Sequence, residues 1–305
     1  MRTSAAPTSE AAPIAFRDVL SDDGTRLTAW TNDPDGTIEG PTVLLCNGLG
    51  TNPWCWPALL DPDCGVRVVS WNHRGVGGSD RPEDPARCGI VEFVEDALSV
   101  MDAYGVDQAV LIGWSMGVNT AFELAFRHPE RVRGIFAVAG VPGDTFSTML
   151  GPFHLPRRVT RTVTTALART VQVAGRAVSP ISTRLPIGPV AVTAISHSGF
   201  MLPVADPAMT ARAVQEFLTT PLEWYFHLAL ATAKHGRVSL SRLRVPVTLV
   251  GGTWDVLAGA RDMATAAERI PDAVYVELSG SHFLQMEQPE RVHELLLELI
   301  ARASA

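Results

Sequence analysis

Short apolar runs recur along the chain, and most of them show no alternation between apolar and polar positions. Such continuous runs are typical of strands that are buried on both faces of a sheet. The first two runs flank Asp22-Asp23-Gly24, a turn sequence that indicates an antiparallel hairpin. The predicted strands are Phe16–Leu20, Thr25–Thr31, Thr42–Cys46, Val66–Trp71, Ala109–Ile112, Val132–Ala139, Val245–Gly251 and Ala273–Leu278.

Helical periodicity fills most of the intervals between these runs. The predicted helices cover about residues 90–104, 116–127, 261–270 and 289–303. Strands that alternate with helices pair in parallel, and the helices then cover both faces of the sheet. We therefore predict an α/β fold with a mostly parallel, eight-stranded sheet.

The alternation stops between residues 143 and 235, where the sequence is helical, is interrupted by prolines and contains no convincing strand. We interpret residues 143–235 as a helical cap, inserted into a core formed by residues 16–142 and 236–305. The first fifteen residues are small and polar, include prolines and lack the apolar segment of a secretory signal. Residues 1–15 are expected to form a disordered tail.

Residues 157–178 of the cap have a helical pattern with two distinct sides. Arginines lie on one side: Arg158, Arg161, Arg169 and Arg176. Apolar residues lie on the other: Val159, Val163, Leu167, Val171, Ala174 and Val178. One interpretation is that the apolar side packs on the core while the arginines are solvated. Another is that the cap contacts an anionic interface, such as lipid or a granule surface, or receives an anionic group such as a phosphate.

The composition limits the possible classes of function. With 305 residues, of which 46% are hydrophobic and 19% are charged, the chain fits one large domain or a core with an insert. A net charge of −7 argues against nucleic acid as a partner. No apolar run reaches the roughly 18 residues that a membrane helix needs, so we expect a cytoplasmic protein. The oligomeric state stays open.

The cysteines give no sign of a metal site. Cys46, Cys55, Cys64 and Cys88 match no zinc-binding spacing. Free thiols are expected in a chain without an export signal, with a disulfide between Cys55 and Cys64 as the minor alternative. No nucleotide-binding or metal-binding motif is apparent, and we expect neither a cofactor nor a metal.

One apolar run leads directly into Gly113-Trp114-Ser115-Met116-Gly117, and a helical pattern follows. A serine in Gly-x-Ser-x-Gly between a strand and a helix is typical of a nucleophile elbow, in which a strained turn holds the hydroxyl above the sheet. The N-terminus of the following helix favours negative charge at that point. A structural turn with an incidental serine would contain the same residues, so the motif needs further support.

A nucleophilic serine needs a base, and suitable residues follow two later strands. Asp255 comes after the seventh predicted strand, and His282 comes after the eighth. Both lie just past the carboxyl ends of strands, where parallel sheets place their ligand sites. We predict that His282 accepts the proton of Ser115 and that Asp255 orients the imidazole. Asp144, which follows the sixth strand, is the alternative for the acid.

A glycine-rich turn, Asn47-Gly48-Leu49-Gly50, follows the third predicted strand. Such a turn can direct a backbone N–H at the oxygen that becomes negative during acyl transfer. We predict that the amides of Leu49 and Met116 form an oxyanion hole. This prediction depends on the serine and the histidine, because an isolated glycine turn is common.

Together these motifs resemble the α/β-hydrolase fold family, in the branch that carries a cap. That branch has a His-Gly oxyanion loop, an Arg-Gly-x-Gly-x-Ser loop and a histidine followed by a Glu-x-Pro run. The matching residues are Asn47-Gly48, Arg74–Ser79, and His282 with Glu287-Gln288-Pro289. Asn47 and Asn72 depart from the usual His and Asp. The Asn47 loop also resembles that of intracellular medium-chain polyhydroxyalkanoate depolymerases.

The resemblance implies a serine hydrolase that cleaves carboxylic esters through an acyl-enzyme. Dehalogenases and epoxide hydrolases of the family attack with an aspartate, whereas position 115 is a serine. The cap has few polar groups that could bind a sugar or a peptide, so an apolar acyl substrate is favoured. Four residues are predicted to line its pocket: Trp54, Trp114, Phe200 and Trp224.

Other functions use the same residues. The triad would also serve a thioesterase, a lactonase, a C–C bond hydrolase, an acyltransferase or a cofactor-free perhydrolase. A ligand receptor that keeps the fold without catalysis is an alternative from another class.

Overall fold

A single sheet forms the centre of the computed structural model, which describes residues 14–149, 156–184, 187–236 and 238–305. Its eight strands are β1 (Ala15–Leu20), β2 (Arg26–Thr31), β3 (Thr42–Cys46), β4 (Arg67–Trp71), β5 (Ala109–Trp114), β6 (Val132–Val138), β7 (Val247–Gly252) and β8 (Ala273–Leu278). Their order across the sheet is β1-β2-β4-β3-β5-β6-β7-β8. The pairs β1–β2 and β2–β4 are antiparallel, and the other neighbours are parallel.

Helices follow most of the parallel strands. Those of the core are α1 (Ile90–Ala103), α2 (Gly117–Arg127), α8 (Ala260–Ala267), α9 (Leu284–Glu287) and α10 (Pro289–Ser304). The helices between β6 and β7, which we call the cap, are α3 (Thr145–Thr148), α4 (Arg157–Ser182), α5 (Pro189–Ser196), α6 (Pro207–Leu218) and α7 (Leu222–Thr232). The mostly parallel sheet with helices on both faces is therefore confirmed.

Side chains that alternate along the central strands fill two separate cores. Leu111 of β5 packs with α1, α2 and α8 on one face, whereas Val110 and Ile112 pack with α10 on the other. Because both faces of β5 are covered, every residue from Ala109 to Trp114 is buried. This double burial explains why the apolar runs show no alternation.

β5 is longer than predicted, since it ends at Trp114 and not at Ile112. Gly113 and Trp114 continue the parallel pairing with Ala137 and Val138 of β6. The strand thus runs to the residue before Ser115, so the sheet itself fixes where that serine lies.

The long cap helix α4 does not bury its apolar side, so the interpretation that this side packs on the core is wrong. Val163 and Leu167 are exposed, and the side that is buried carries Ala168, Gly175 and Ser179. These small residues let α4 lie directly on α7: a Cβ on Gly175 would be 2.8 Å from the backbone nitrogen of Glu223. Ser179 also donates a hydrogen bond to the Glu223 carboxylate.

Some predictions concern the chain ends, the thiols and membranes. The predicted tail lies outside the described residues except for Ile14 and Ala15, and Ala15 is already part of β1. All four cysteines are free and buried, so Cys55 and Cys64 form no disulfide. Within the described part of the chain, no helix is both long and apolar enough to cross a membrane.

Candidate active site

Ser115 lies in the turn between β5 and α2, with a φ of 55° that a serine rarely adopts. The two flanking positions need glycine because other backbone segments approach them so closely that a Cβ atom would collide. A Cβ on Gly117 would lie 1.8 Å from the carbonyl oxygen of Cys46, and a Cβ on Gly113 would lie 2.7 Å from Cα of Val118. The glycines therefore allow β3, β5 and α2 to meet, and the strained serine is raised at their junction.

Two side chains connect to Ser115 in series. Nε2 of His282 lies 2.8 Å from Oγ of Ser115, and Nδ1 of His282 lies 2.9 and 3.0 Å from the two carboxylate oxygens of Asp255. An ionised carboxylate can only accept hydrogen bonds, so the geometry assigns the ring proton to Nδ1. Nε2 is then free to accept the serine hydroxyl. The structure thus brings together three groups that are distant along the chain.

The Asp255 carboxylate is held by the loop that carries it. Its Oδ1 accepts hydrogen bonds from the amides of Leu257 and Ala258 at 2.7 and 2.8 Å, and the residue is 1% exposed. β7 and β8 are neighbours, so the residues that follow them emerge side by side. Adjacent strand ends therefore explain why Asp255 and His282 meet.

Asp144, the alternative acid, is not the partner of His282. It follows β6 in a left-handed conformation, and its carboxylate lies 3.4 Å from Arg161 of α4. The imidazole is bonded to Asp255 instead. Asp144 therefore links the end of β6 to the cap helix.

The amides of Leu49 and Met116 are available as hydrogen-bond donors. Among the described residues, neither N–H donates to another group, although both residues are buried. Asn47 holds the first loop in place: its Oδ1 accepts from the Gly48 amide and from Nε1 of Trp56, both at 3.0 Å. The asparagine that departs from the family pattern thus supports the loop through its own hydrogen bonds.

The Arg-Gly loop is held by a buried ion cluster. The Arg74 guanidinium is fully buried and pairs with Asp96 at 2.7 Å and with Asp23. Burial alone would lower the pKa of Arg74, but hydrogen bonds and charges from Asp96 and Asp23 outweigh it and raise that pKa. The carbonyl of Arg74 accepts a hydrogen bond of 2.8 Å from Nε1 of Trp224. This loop therefore joins the hairpin, α1 and the cap.

A cavity of about 300 Å³ opens onto Ser115 and His282. Two of the predicted lining residues are found there, Trp114 and Phe200. The remaining wall is almost entirely apolar and includes Leu49, Ile195, Met201, Ala213, Val214, Phe217, Leu218, Tyr225, Leu257, Phe283 and Met286. In the described ranges, no cluster of histidine, cysteine or acidic side chains is arranged to hold a metal ion.

The sequence analysis missed most of this wall. α6 contributes Ala213, Val214, Phe217 and Leu218, and their spacing of three and four residues places them on one face of the helix. That spacing was a usable signal for a buried face. It does not distinguish a face that lines a cavity from one that packs on a core.

Trp54 and Trp224 lie elsewhere, so their prediction as pocket residues is wrong. Trp54 borders a neighbouring groove, and the Arg212 guanidinium carbon lies 3.2 Å from the centroid of its ring. Trp224 packs on the Arg-Gly loop, stacks on His227 and donates to Arg74. Trp54 therefore belongs to the rim, and Trp224 anchors the cap.

The sheet order, the strained serine and its two partners define a class of enzymes built on a mostly parallel sheet. A family model described as alpha/beta hydrolase fold matches residues 41–289. The chain belongs to this family, and the family supports a hydrolase.

The chain is similar to named relatives over most of its length. Epoxide hydrolase B of Mycobacterium tuberculosis strain H37Rv is 26% identical, with 92% of this chain and 97% of that protein covered. The 3-oxoadipate enol-lactonase 1 of Acinetobacter baylyi is 24% identical, with 88% and 90% covered. The crystal structure of the enol-lactonase from Burkholderia xenovorans LB400 aligns with a TM-score of 0.69 at 22% identity, with 93% and 100% covered.

Proposed function

We propose that the protein is a serine hydrolase that cleaves carboxylic esters with apolar acyl groups. One observation carries this proposal: Oγ of Ser115 lies 2.8 Å from Nε2 of His282, whose other nitrogen lies 2.9 Å from Asp255, and all three meet at an apolar cavity. A serine, an imidazole and a buried carboxylate in this order form the arrangement that activates a hydroxyl for attack.

In the proposed mechanism, Oγ of Ser115 attacks the acyl carbon while Nε2 of His282 takes the hydroxyl proton. Asp255 stabilises the resulting imidazolium. The amides of Leu49 and Met116 donate to the negative oxygen of the tetrahedral intermediate. Collapse of that intermediate breaks the ester bond, and His282 returns the proton to the departing alcohol. A water molecule that His282 deprotonates then releases the acid and restores Ser115.

The residue at the nucleophile position favours an ester over an epoxide. Epoxide hydrolases of the family attack with an aspartate, and this chain has Ser115 at that position. A serine forms an ordinary acyl-enzyme from an ester or a lactone and can be deprotonated by the adjacent imidazole. The similarity to an epoxide hydrolase therefore supports the fold and the hydrolase class, and the proposal departs from that relative's named reaction.

The cavity favours an apolar acyl group of short or medium length. Its volume of about 300 Å³ is at the lower end of the range for small-molecule sites. A lactone is the second candidate, because two relatives carry the name enol-lactonase and a lactone is a cyclic ester. A thioesterase, a C–C bond hydrolase, an acyltransferase or a perhydrolase would use the same triad.

The test combines covalent labelling with a series of substrates. A fluorophosphonate should label Ser115, and p-nitrophenyl esters from acetate to dodecanoate should give a maximum at short or medium chains. Ser115→Ala should abolish both signals. The matched control Ser241→Ala changes an exposed serine that does not line the cavity and should behave as the unaltered protein.

Three results would separate the alternatives. Full activity of Ser115→Ala would overturn the proposed nucleophile. Labelling without hydrolysis of any ester, but with hydrolysis of a lactone or a thioester, would redirect the proposal within the same triad chemistry. A protein that binds esters without labelling or turnover would be a receptor.

A further inference from the structure

The exposed half of α4 carries a row of large apolar side chains that are each 45% to 67% exposed. Leu167 is 61% exposed and Ile181 is 67% exposed, with Val159, Val163 and Val178 along the same flank at 45% to 49%. These positions recur at the spacing of one helical face. Scattered exposed apolar residues are normal, but a row along one helix indicates a contact surface.

A second row, of arginines, lies on the opposite flank of the exposed half of α4. α4 contains five arginines and no acidic residue, in a chain whose net charge is −7. Arg157 pairs with Asp262, and Arg161 pairs with Asp144. Arg158, Arg169 and Arg176 form no ion pair with the described residues. The helix therefore concentrates positive charge next to exposed apolar surface.

We propose that α4 is a docking surface for an anionic lipid interface, on which the helix lies flat. Its apolar row would enter the boundary between headgroups and acyl chains, and its arginines would contact the phosphates. With 26 residues, α4 is about 39 Å long, so it offers an extended contact. A span across the bilayer does not fit, since the described helices include none that is long and apolar enough.

Charge favours an anionic surface over a second copy of the chain. In an antiparallel two-fold dimer through the exposed half of α4, the arginine flank of one copy would lie near the arginine flank of the other. Like charges brought together and dehydrated oppose such a contact. An anionic lipid surface instead offers both partners that α4 lacks, an apolar layer and negative charge.

The first experiment measures binding of the full chain to vesicles by flotation. Vesicles of equimolar phosphatidylglycerol and phosphatidylcholine should bind the protein at least tenfold more tightly than vesicles of phosphatidylcholine alone. Added salt should weaken this binding, because it screens the arginines. Far-ultraviolet circular dichroism and the midpoint of urea unfolding serve as the measures of folding for every variant.

Two sets of variants test the two rows separately. Leu167→Glu together with Ile181→Glu should reduce binding more than tenfold, whereas Leu297→Glu, an exposed residue of α10, should not. The triple change of Arg158, Arg169 and Arg176 to Gln should weaken binding about 100-fold, since each basic residue at an anionic surface contributes about fivefold. A matched triple change to Gln uses the exposed arginines Arg242, Arg244 and Arg291 and should have little effect.

Several results would overturn the proposal. Absence of binding to the phosphatidylglycerol vesicles is one, and equal binding to both kinds of vesicle is another. Equal losses for the α4 variants and their controls would show that the surface is not specific. A dimer in solution that Leu167→Glu disperses would identify a second copy as the occupant. None of these results bears on the ester hydrolase activity.

Discussion

The carboxyl edge of the sheet and the cap meet at one cavity, but they are held together differently. At the sheet edge, each polar group is fixed by a strand end and by hydrogen bonds, as Asp255 is by the amides of Leu257 and Ala258. In the cap, α4 and α7 are held mainly by close contact of small residues such as Gly175. The serine, the histidine and the aspartate are therefore positioned by the sheet, whereas much of the cavity wall comes from helices between β6 and β7.

The largest expected effect tests whether the chemistry belongs to the sheet edge alone. Asp255→Asn should lower kcat by roughly 10⁴-fold, because an amide no longer holds the imidazole in the tautomer that accepts the serine proton. The control is Asp144→Asn, at the other carboxylate that the sequence offers. Asparagine tolerates its left-handed φ of 53°, so this variant should keep nearly full activity.

Steady-state rates on a p-nitrophenyl ester, with fluorophosphonate labelling as a check, measure this difference. A larger loss for Asp144→Asn than for Asp255→Asn would contradict the assignment of the acid. It would also mean that the cap helix, through Arg161, takes part in the chemistry.

The second prediction concerns how the cap is held. Gly175→Leu should lower the free energy of unfolding by about 1–3 kcal/mol, because the new side chain meets the backbone of α7. Ala177→Leu places the same side chain on the exposed part of α4 and should change stability by less than about 0.5 kcal/mol. Urea unfolding followed by circular dichroism measures both. Equal effects would show that α4 does not depend on its small-residue contact.

The difference between the sheet edge and the cap also explains which features could be predicted from the sequence. The positions of Ser115, Asp255 and His282 follow from chain order, because each comes directly after a strand of a parallel sheet and such strand ends lie at one edge. The sheet was predictable for the same reason, since double burial leaves continuous apolar runs.

For the cap, neither chain order nor continuous apolar runs indicate which side of a helix is buried. The pattern of α4 suggested that Val163 and Leu167 face the core, but helix contact is also possible through small residues, and periodicity does not distinguish the two. The pocket residues were missed for a related reason. Trp54 and Trp224 were chosen for their size and their neighbours in sequence, whereas one face of α6 contributes four residues to the wall of the cavity at Ser115.

Phe217 of α6, which lines the cavity, should control the preference for acyl chain length. Phe217→Ala should enlarge the cavity and raise the ratio of kcat/KM for long over short acyl esters by about tenfold, the size expected for a change of a few carbon atoms in an apolar pocket. Trp54→Ala alters the neighbouring groove and should leave the ratio unchanged. If Trp54→Ala changed this ratio and Phe217→Ala did not, Trp54 would line the acyl pocket after all.

A buried histidine in the Arg-Gly loop should make stability depend on pH. His73 is buried against Phe93, with ring centroids 4.7 Å apart, and burial lowers its pKa from 6.5 to about 4. Between these two pH values the unfolded chain binds a proton at this position and the folded protein does not. This group therefore makes stability fall as the pH falls from about 6.5 to about 4, and its contribution is complete above that window.

His73→Phe should reduce that slope by at most one proton, which is about 1.4 kcal/mol per pH unit. Unfolding in urea at several pH values between 7 and 4 measures it for both proteins. His235 and His293 also have pKa values lowered by burial, so the variant keeps part of the slope. Identical slopes would mean that His73 takes up a proton in the folded protein as readily as in the unfolded chain. Water would then reach the His73 ring in the folded protein, and the Arg-Gly loop would be less tightly packed than its burial indicates.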